Sequence, residues 1–155
     1  RWRRLLRWRL RLRPLSADVR RIASADELVA LGRTFATRLR AGDVVYLEGP
    51  VGAGKTTFAQ AVGSALGVTE TMTSPTFVIA HRYATDPPLS HLDLYRLARV
   101  DAATLADLEP YLSGDGIALI EWPERAGDLL PAATWRVTLD FTPDGARTVG
   151  IVDGD

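Results

Sequence analysis

The sequence predicts an α/β protein: a mostly parallel sheet flanked by helices, with an antiparallel hairpin at its C-terminal end. Three observations predict it. Short apolar runs of strand length alternate with segments of helical period. A glycine-rich turn at residues 49–54 joins one such run to one such helix. Near the end of the chain, Thr142-Pro-Asp-Gly145 has the chemistry of a turn between two strands.

The elements follow in order. Residues 1–14 alternate arginine with Trp2, Leu5, Leu6, Trp8, Leu10 and Leu12, and carry seven arginines and no acid. This composition suits a basic arm for a membrane surface or RNA. The simpler expectation for residues 1–15 is a disordered extension, or a stretch translated upstream of the true start. Ser24-Ala-Asp-Glu27 is a capping box, in which a hydroxyl and a carboxylate satisfy the orphan amides of a helix start. Leu28, Leu31, Phe35 and Leu39 then recur at helical spacing, and Gly42 is the expected stop.

Residues 44–47 form an apolar run that reads as a buried strand. After the glycine turn, residues 56–66 read as a helix ended by Gly67. Residues 76–80 read as a strand, Asp86-Pro-Pro88 as a loop, and His91-Leu-Asp93 as the end of a further short strand. Helical turns are expected around 95–99 and 102–112, and a buried strand at 117–120. Residues 135–141 and 148–152 form the predicted hairpin. No repeat and no linker interrupts the chain after residue 20, so residues 20–152 are expected to form one domain.

Composition narrows the function. The 155 residues are 46% hydrophobic and 25% charged, a globular balance. The absence of cysteine excludes a disulfide scaffold, a thiolate metal site and a cysteine nucleophile. No apolar run approaches the ~20 residues of a membrane span, so a soluble, cytoplasmic protein with no membrane partner is expected. The formal net charge is zero, yet residues beyond 14 carry 12 basic and 19 acidic side chains. That acidic body argues against a broad nucleic-acid-binding face. Lys55 is the single lysine beside 18 arginines. In such a background a retained lysine points to a position that needs a compact ammonium rather than a guanidinium fork.

Its neighbours supply the reason. Gly49-Pro-Val-Gly-Ala-Gly-Lys-Thr56 matches the Walker A pattern, with an apolar strand before it and a helix after it. Glycines let the backbone wrap closely, so that successive N–H groups and a helix N-terminus face phosphate oxygens. In that pattern Lys55 supplies a movable charge for the β and γ phosphates, and the Thr56 hydroxyl can ligate Mg²⁺. The chain holds no asparagine and no second lysine, which excludes an NKxD guanine-reading motif and favours ATP. The fold expected is therefore P-loop NTPase-like.

Such a site also needs an acid near the metal. Asp93 and Glu121 stand at the ends of predicted strands, where an open α/β sheet lines its ligand crevice. Ser74-Pro-Thr76 offers two hydroxyls on a rigid turn, either an ordinary turn or a switch that senses the γ-phosphate or Mg²⁺. Trp122 reads as core or as an aromatic wall near the nucleotide. His91 reads as structural, because His81 is the only other histidine and the two make no metal site.

Four blocks in order, Gly49-Pro-Val-Gly-Ala-Gly-Lys-Thr-Thr-Phe58, Ser74-Pro-Thr-Phe77, His91-Leu-Asp-Leu-Tyr-Arg-Leu97 and Ile120-Glu-Trp-Pro-Glu124, resemble the TsaE family over about residues 20–152. These are small P-loop ATPases of bacterial tRNA threonylcarbamoyladenosine biosynthesis. The resemblance implies that Gly52, Ala53, Gly54, Lys55, Thr56 and Thr57 hold the ATP phosphates, with Thr56 and Glu121 at Mg²⁺. It makes Asp93 a Walker B-like acid assisting metal or water, and puts Lys55, Asp93 and Glu121 in the catalytic set. Ser74 and Thr76 would belong to the switch, Trp122 to the nucleotide-site wall, and Arg147 near the nucleotide.

The resemblance further implies that the threonylcarbamoyl transfer itself belongs to a partner transferase of actin-like ATPase fold, TsaD, paired with its paralogue TsaB. The ATPase would reset that complex between turnovers and meet tRNA only indirectly. The chain departs from the family at Pro50-Val51, where Asp-Leu is usual, at Ala146, which interrupts a Gly-Arg pair before Arg147, and at Asp107, where glycine is common. None of these removes a phosphate ligand. Two rival functions share the Walker motif. A small-molecule kinase would need an arginine-rich lid, and residues 83–90 contain no arginine. A module that senses ATP without turnover would need nothing more than the loop.

Overall fold

The computed structural model describes residues 18–73 and 80–154. In chain order the described elements are strand β1 (Asp18–Ile22), helix α1 (Ala25–Ala36), β2 (Val44–Glu48), α2 (Lys55–Leu66), β3 (Ala80–Tyr83), β4 (Leu89–Asp93), α3 (Ala102–Leu108), β5 (Ile117–Glu121), β6 (Trp135–Phe141) and β7 (Arg147–Asp153). Short 3-10 turns lie at Glu109–Tyr111, Pro123–Arg125 and Gly127–Leu129.

The seven strands make one mixed sheet in the order β1-β7-β6-β2-β5-β4-β3. β6, β2, β5 and β4 run parallel, while β3 on one side and β7 and β1 on the other pair antiparallel. The apolar runs of β2 and β5 are central and buried on both faces, which is why they read as continuous rather than alternating. On one face Val45, Leu47, Leu119, Val137 and Leu139 pack with Leu28 and Phe35 of α1 and Phe58 and Val62 of α2. On the other, Tyr46, Leu92, Ala118 and Ile120 pack with Val100, Leu108 and Leu130.

Caps behave as their chemistry requires. The Ser24 hydroxyl accepts from the Glu27 amide at 3.2 Å, and the Glu27 carboxylate accepts from the Ala23 amide at 2.9 Å. Gly67 closes α2 in the left-handed region, and the Val68 amide donates back to the Gly63 carbonyl at 2.9 Å.

Several boundaries differ from the sequence reading. Helix α1 stops at Ala36 rather than running on through Leu39 to Gly42, because Thr37 turns its amide and hydroxyl back to the Thr34 carbonyl. Of the strand expected at 76–80, only Ala80 is among the described residues, where it opens a strand running on to Tyr83; residues 74–79 lie outside them. Around 95–99 there is a turn instead of helix: the Tyr95 amide is drawn to the Asp93 carboxylate at 3.0 Å. Strand β1 has no counterpart in the sequence reading. It is an edge strand with Ile22 alone buried, so its polar Asp-Val-Arg-Arg start carries no apolar alternation. The expected extension at 1–15 lies outside the described residues.

Candidate functional site

The site forms where β2, β5 and β4 end together. In the parallel register Leu47 pairs with Glu121, and Glu121 with Asp93, so both predicted acids emerge side by side on neighbouring strands. The glycine loop leaves β2 at the same edge and enters α2. Gly49 has φ +147°, and a Cβ there would lie 2.1 Å from the Leu139 carbonyl oxygen, so the loop runs directly against β6. Gly54 caps α2 at φ +107°, where a Cβ would meet Leu28 Cδ2 at 2.6 Å. Among the described residues no side chain caps the start of α2, which leaves its first amides available to a ligand.

Lys55 is buried under this loop. Its ammonium donates to the carbonyls of Gly49 and, at 2.9 Å, Pro50, and lies 4.2 Å from the centre of the Trp122 ring. Burial pushes its pKa down, opposed by the charges of Glu121, Glu124 and Asp93. The Thr56 hydroxyl donates to Glu121, at 3.1 Å from Oε1 and 3.2 Å from Oε2. Glu121 is 2% exposed, and its Oε2 lies 2.6 Å from His91 Nε2.

The remaining predicted residues gather around this pair. Asp93 is half-buried, with one oxygen accepting from the Tyr95 amide. Trp122 adopts the left-handed region at φ 58°, a conformation costing about 1–3 kcal/mol for a non-glycine residue. That turn sets its indole beside Tyr95, ring centres 4.9 Å apart, and over Lys55. Arg147 opens β7, and its Nη2 donates to the Gly52 carbonyl at 3.4 Å despite the intervening Ala146. Its Nε is buried with no acceptor among the described residues. Ala53 is buried within the loop, and Thr57 follows in the first turn of α2. Ser74 and Thr76 lie outside the described residues.

Sequence reasoning missed two participants. His91, read as structural, contacts Glu121, and Tyr95 locks Asp93 through its amide while its ring packs at a tilt against Trp122. The signal for His91 was the strand period: residues 91 and 93 share a face, so the ring had to lie on the side of the sheet that carries the acids. Among the described residues no group of three or more His, Cys, Asp or Glu forms a metal cage, and no helix is long and apolar enough to cross a membrane.

Fold and site define a class: a mixed α/β protein with a glycine-loop site at the carboxyl edge of its sheet, a lysine beneath the loop and a hydroxyl–carboxylate pair beside it. The family model described as threonylcarbamoyl adenosine biosynthesis protein TsaE matches residues 22–149. The chain is 39% identical over 135 residues to a tRNA threonylcarbamoyladenosine biosynthesis protein TsaE from Nostoc sp., covering 84% of this chain and 82% of the relative. It is 34% identical to the protein of the same description from Bacillus subtilis, covering 83% and 81%, and 44% identical to that from Streptomyces coelicolor, covering 71% and 76%. A crystal structure of Bacillus subtilis YdiB superimposes with a TM-score of 0.75 at 28% identity, over 90% of this chain and 87% of that one. This chain belongs to the TsaE family, the proteins of tRNA threonylcarbamoyladenosine biosynthesis.

Proposed function

We propose that residues 20–152 act as one P-loop ATPase domain in the cytoplasm, binding ATP with Mg²⁺ and hydrolysing it to reset a TsaD–TsaB-like transferase complex between rounds of tRNA modification. The observation that carries this reading is the Thr56 hydroxyl against the buried Glu121 carboxylate at the mouth of the glycine loop. Family membership supports the tRNA pathway; the chemistry of the edge supports the nucleotide.

The residues suit both groups. A loop whose Gly49 and Gly54 leave no room for Cβ atoms, followed by an uncapped helix start, is a backbone cradle for phosphates. A hydroxyl, a carboxylate and a second carboxylate on the next strand are hard oxygen donors. Mg²⁺ accepts such a partial set, because it keeps several waters and takes its other ligands from the phosphates. When bound, Mg²⁺ would neutralise charge developing on the β and γ phosphates.

In this reading the amides of Gly52, Ala53, Gly54, Lys55, Thr56 and Thr57 hold phosphate oxygens. Lys55 turns from the loop carbonyls to the β and γ oxygens, and burial strengthens that attraction. Thr56 and Glu121 would hold the metal. Asp93, fixed through the Tyr95 amide, would orient the attacking water or a metal-bound water. Trp122 walls the site beside Lys55, and the Arg147 guanidinium at Gly52 adds a second cation at the loop. Ser74 and Thr76 enter on sequence grounds, as hydroxyls that sense the γ-phosphate.

The test is phosphate release with and without the partner transferase complex, run beside multiple-turnover modification of tRNA. Slow release alone, acceleration by the complex, and modification that stalls after one round without this protein are the expected results. Phosphate transferred to a small molecule instead of water would establish a kinase. Tight ATP binding with no release under any condition would establish a sensor.

A further inference from the structure

We propose that His91 is the positioning residue of the Glu121 carboxylate: its Nε2–H pins Oε2, so that Oε1 is presented beside Thr56 to a divalent cation. The inference rests on the ATPase reading above and assigns a part in it to a residue that sequence alone consigns to the core.

The geometry is asymmetric. His91 Nε2 lies 2.6 Å from Oε2, whereas the Thr56 hydroxyl spans the carboxylate at 3.1 Å from Oε1 and 3.2 Å from Oε2. Thr56 is shared almost evenly, so the short contact from His91 to Oε2 is what leaves Oε1 the less strongly held of the two oxygens. A Thr56 oxygen engaged on a cation changes its relation to the carboxylate, while the short contact from His91 does not depend on it. A glutamate side chain has three rotatable bonds, and a ligand oxygen must be held within a fraction of an ångström for a small cation. The imidazole supplies that restraint from the neighbouring strand.

The other nitrogen fixes the direction of the bond. His91 is fully buried, and Nδ1 has no hydrogen-bond partner among the described residues. A proton on Nδ1 would be a buried donor without an acceptor, whereas a bare Nδ1 leaves an acceptor unmatched. The carboxylate needs a donor, so the proton belongs on Nε2. As a packing residue this ring would be a poor choice, since an apolar side chain of its size would fill the space without an orphaned nitrogen. Its contact with Glu121 is then its purpose.

There is also something to hold Glu121 away from. Lys55 is a buried cation at the same sheet edge, next in the chain to the Thr56 whose hydroxyl contacts Glu121. An unrestrained carboxylate would be drawn to that ammonium and would occupy the lysine needed for phosphate. Pinning Oε2 toward β4 keeps the two opposite charges apart, each available to its own part of the ligand. Side chains that orient a metal ligand by a hydrogen bond change metal affinity by about 10–100-fold when removed.

The test compares wild type, His91→Gln and His91→Met. Glutamine places an amide N–H near the position of Nε2; methionine keeps the bulk and removes the donor. For each, ATP affinity is titrated across Mg²⁺ concentration and again in chelator. His91→Met is expected to need about tenfold more Mg²⁺ for half-maximal affinity. His91→Gln should stay within about threefold of wild type, and metal-free ATP affinity should stay within about twofold in both, the phosphate cradle being intact. Wild-type Mg²⁺ dependence in His91→Met overturns the inference and leaves the ATPase reading standing. An equal loss of metal-free and Mg²⁺-ATP affinity overturns it too, since that is the mark of a merely structural residue. A wild-type protein whose ATP affinity ignores Mg²⁺ overturns the ATPase reading itself and with it the purpose assigned to His91. Nitrogen NMR of the wild-type imidazole decides the matter even if methionine unfolds the chain. A proton bonded to Nε2 is expected, and one bonded to Nδ1 with Nε2 bare overturns the proposal.

Discussion

Replacing Glu121 with alanine should uncouple stability from metal-dependent binding. The change removes a carboxylate that accepts from Thr56 at 3.1 Å and contacts His91 at 2.6 Å. Hydrogen bonds to a charged group contribute about 1.5–3 kcal/mol each, so about 3–6 kcal/mol is lost. A His91 N–H left without an acceptor costs about 1–3 kcal/mol more. Against these stands the desolvation of a carboxylate that is 2% exposed, several kcal/mol that the variant no longer bears. The terms nearly cancel, leaving about 0–4 kcal/mol of destabilisation. For a domain of this size that lowers Tm by about 16 °C at most. Mg²⁺-ATP, by contrast, loses a ligand, and its affinity should fall at least about tenfold while metal-free ATP binds as before. Calorimetric titration of ATP in Mg²⁺ and in chelator, beside a thermal melt, reads both quantities. A folded Glu121→Ala protein with wild-type Mg²⁺ dependence refutes the metal role. A protein that fails to fold refutes the cancellation.

Three further perturbations test neighbouring parts of the site. Lys55→Arg keeps the charge but puts a planar fork where the ammonium fits between two loop carbonyls and the Trp122 ring, so ATP hydrolysis should be lost; full activity would also sink the inference drawn from the single lysine. Asp93→Asn preserves the acceptor for the Tyr95 amide and removes the charge. Mg²⁺-ATP affinity should hold while single-turnover hydrolysis falls about tenfold or more, and the opposite pattern would exchange the roles of Asp93 and Glu121. Gly49→Ala drives a Cβ to 2.1 Å from a backbone oxygen of β6 at φ +147°, a clash no side-chain rotation relieves. A loss of about 3 kcal/mol, or roughly 6–12 °C in Tm, is expected by thermal melt; an unchanged Tm would mean that the loop does not run against Leu139.

Features that local chemistry controls can be read directly from the chain. The glycine loop is legible because its residue types are required by backbone conformation and by the helix start that follows it. The capping box at Ser24, the stop at Gly67 and the hairpin turn before Gly145 are likewise contacts between near neighbours in the chain. The central strands announce themselves because burial on both faces leaves residues 44–47 and 117–120 without a charged side chain. The remaining features come from pairings between distant segments, which no local pattern encodes. Strand β1 exists because β7 offers it an edge, and its own residues would suit a loop. The left-handed backbone of Trp122 sets its ring against Tyr95 and Lys55, residues distant in the chain. Asp93 and Glu121 could be placed at strand ends from sequence. Their adjacency, and the arrival of His91 against Glu121 rather than in an apolar core, follow from the register of β4 on β5. Register is fixed by packing summed over the whole sheet, and a chain read one segment at a time does not contain it.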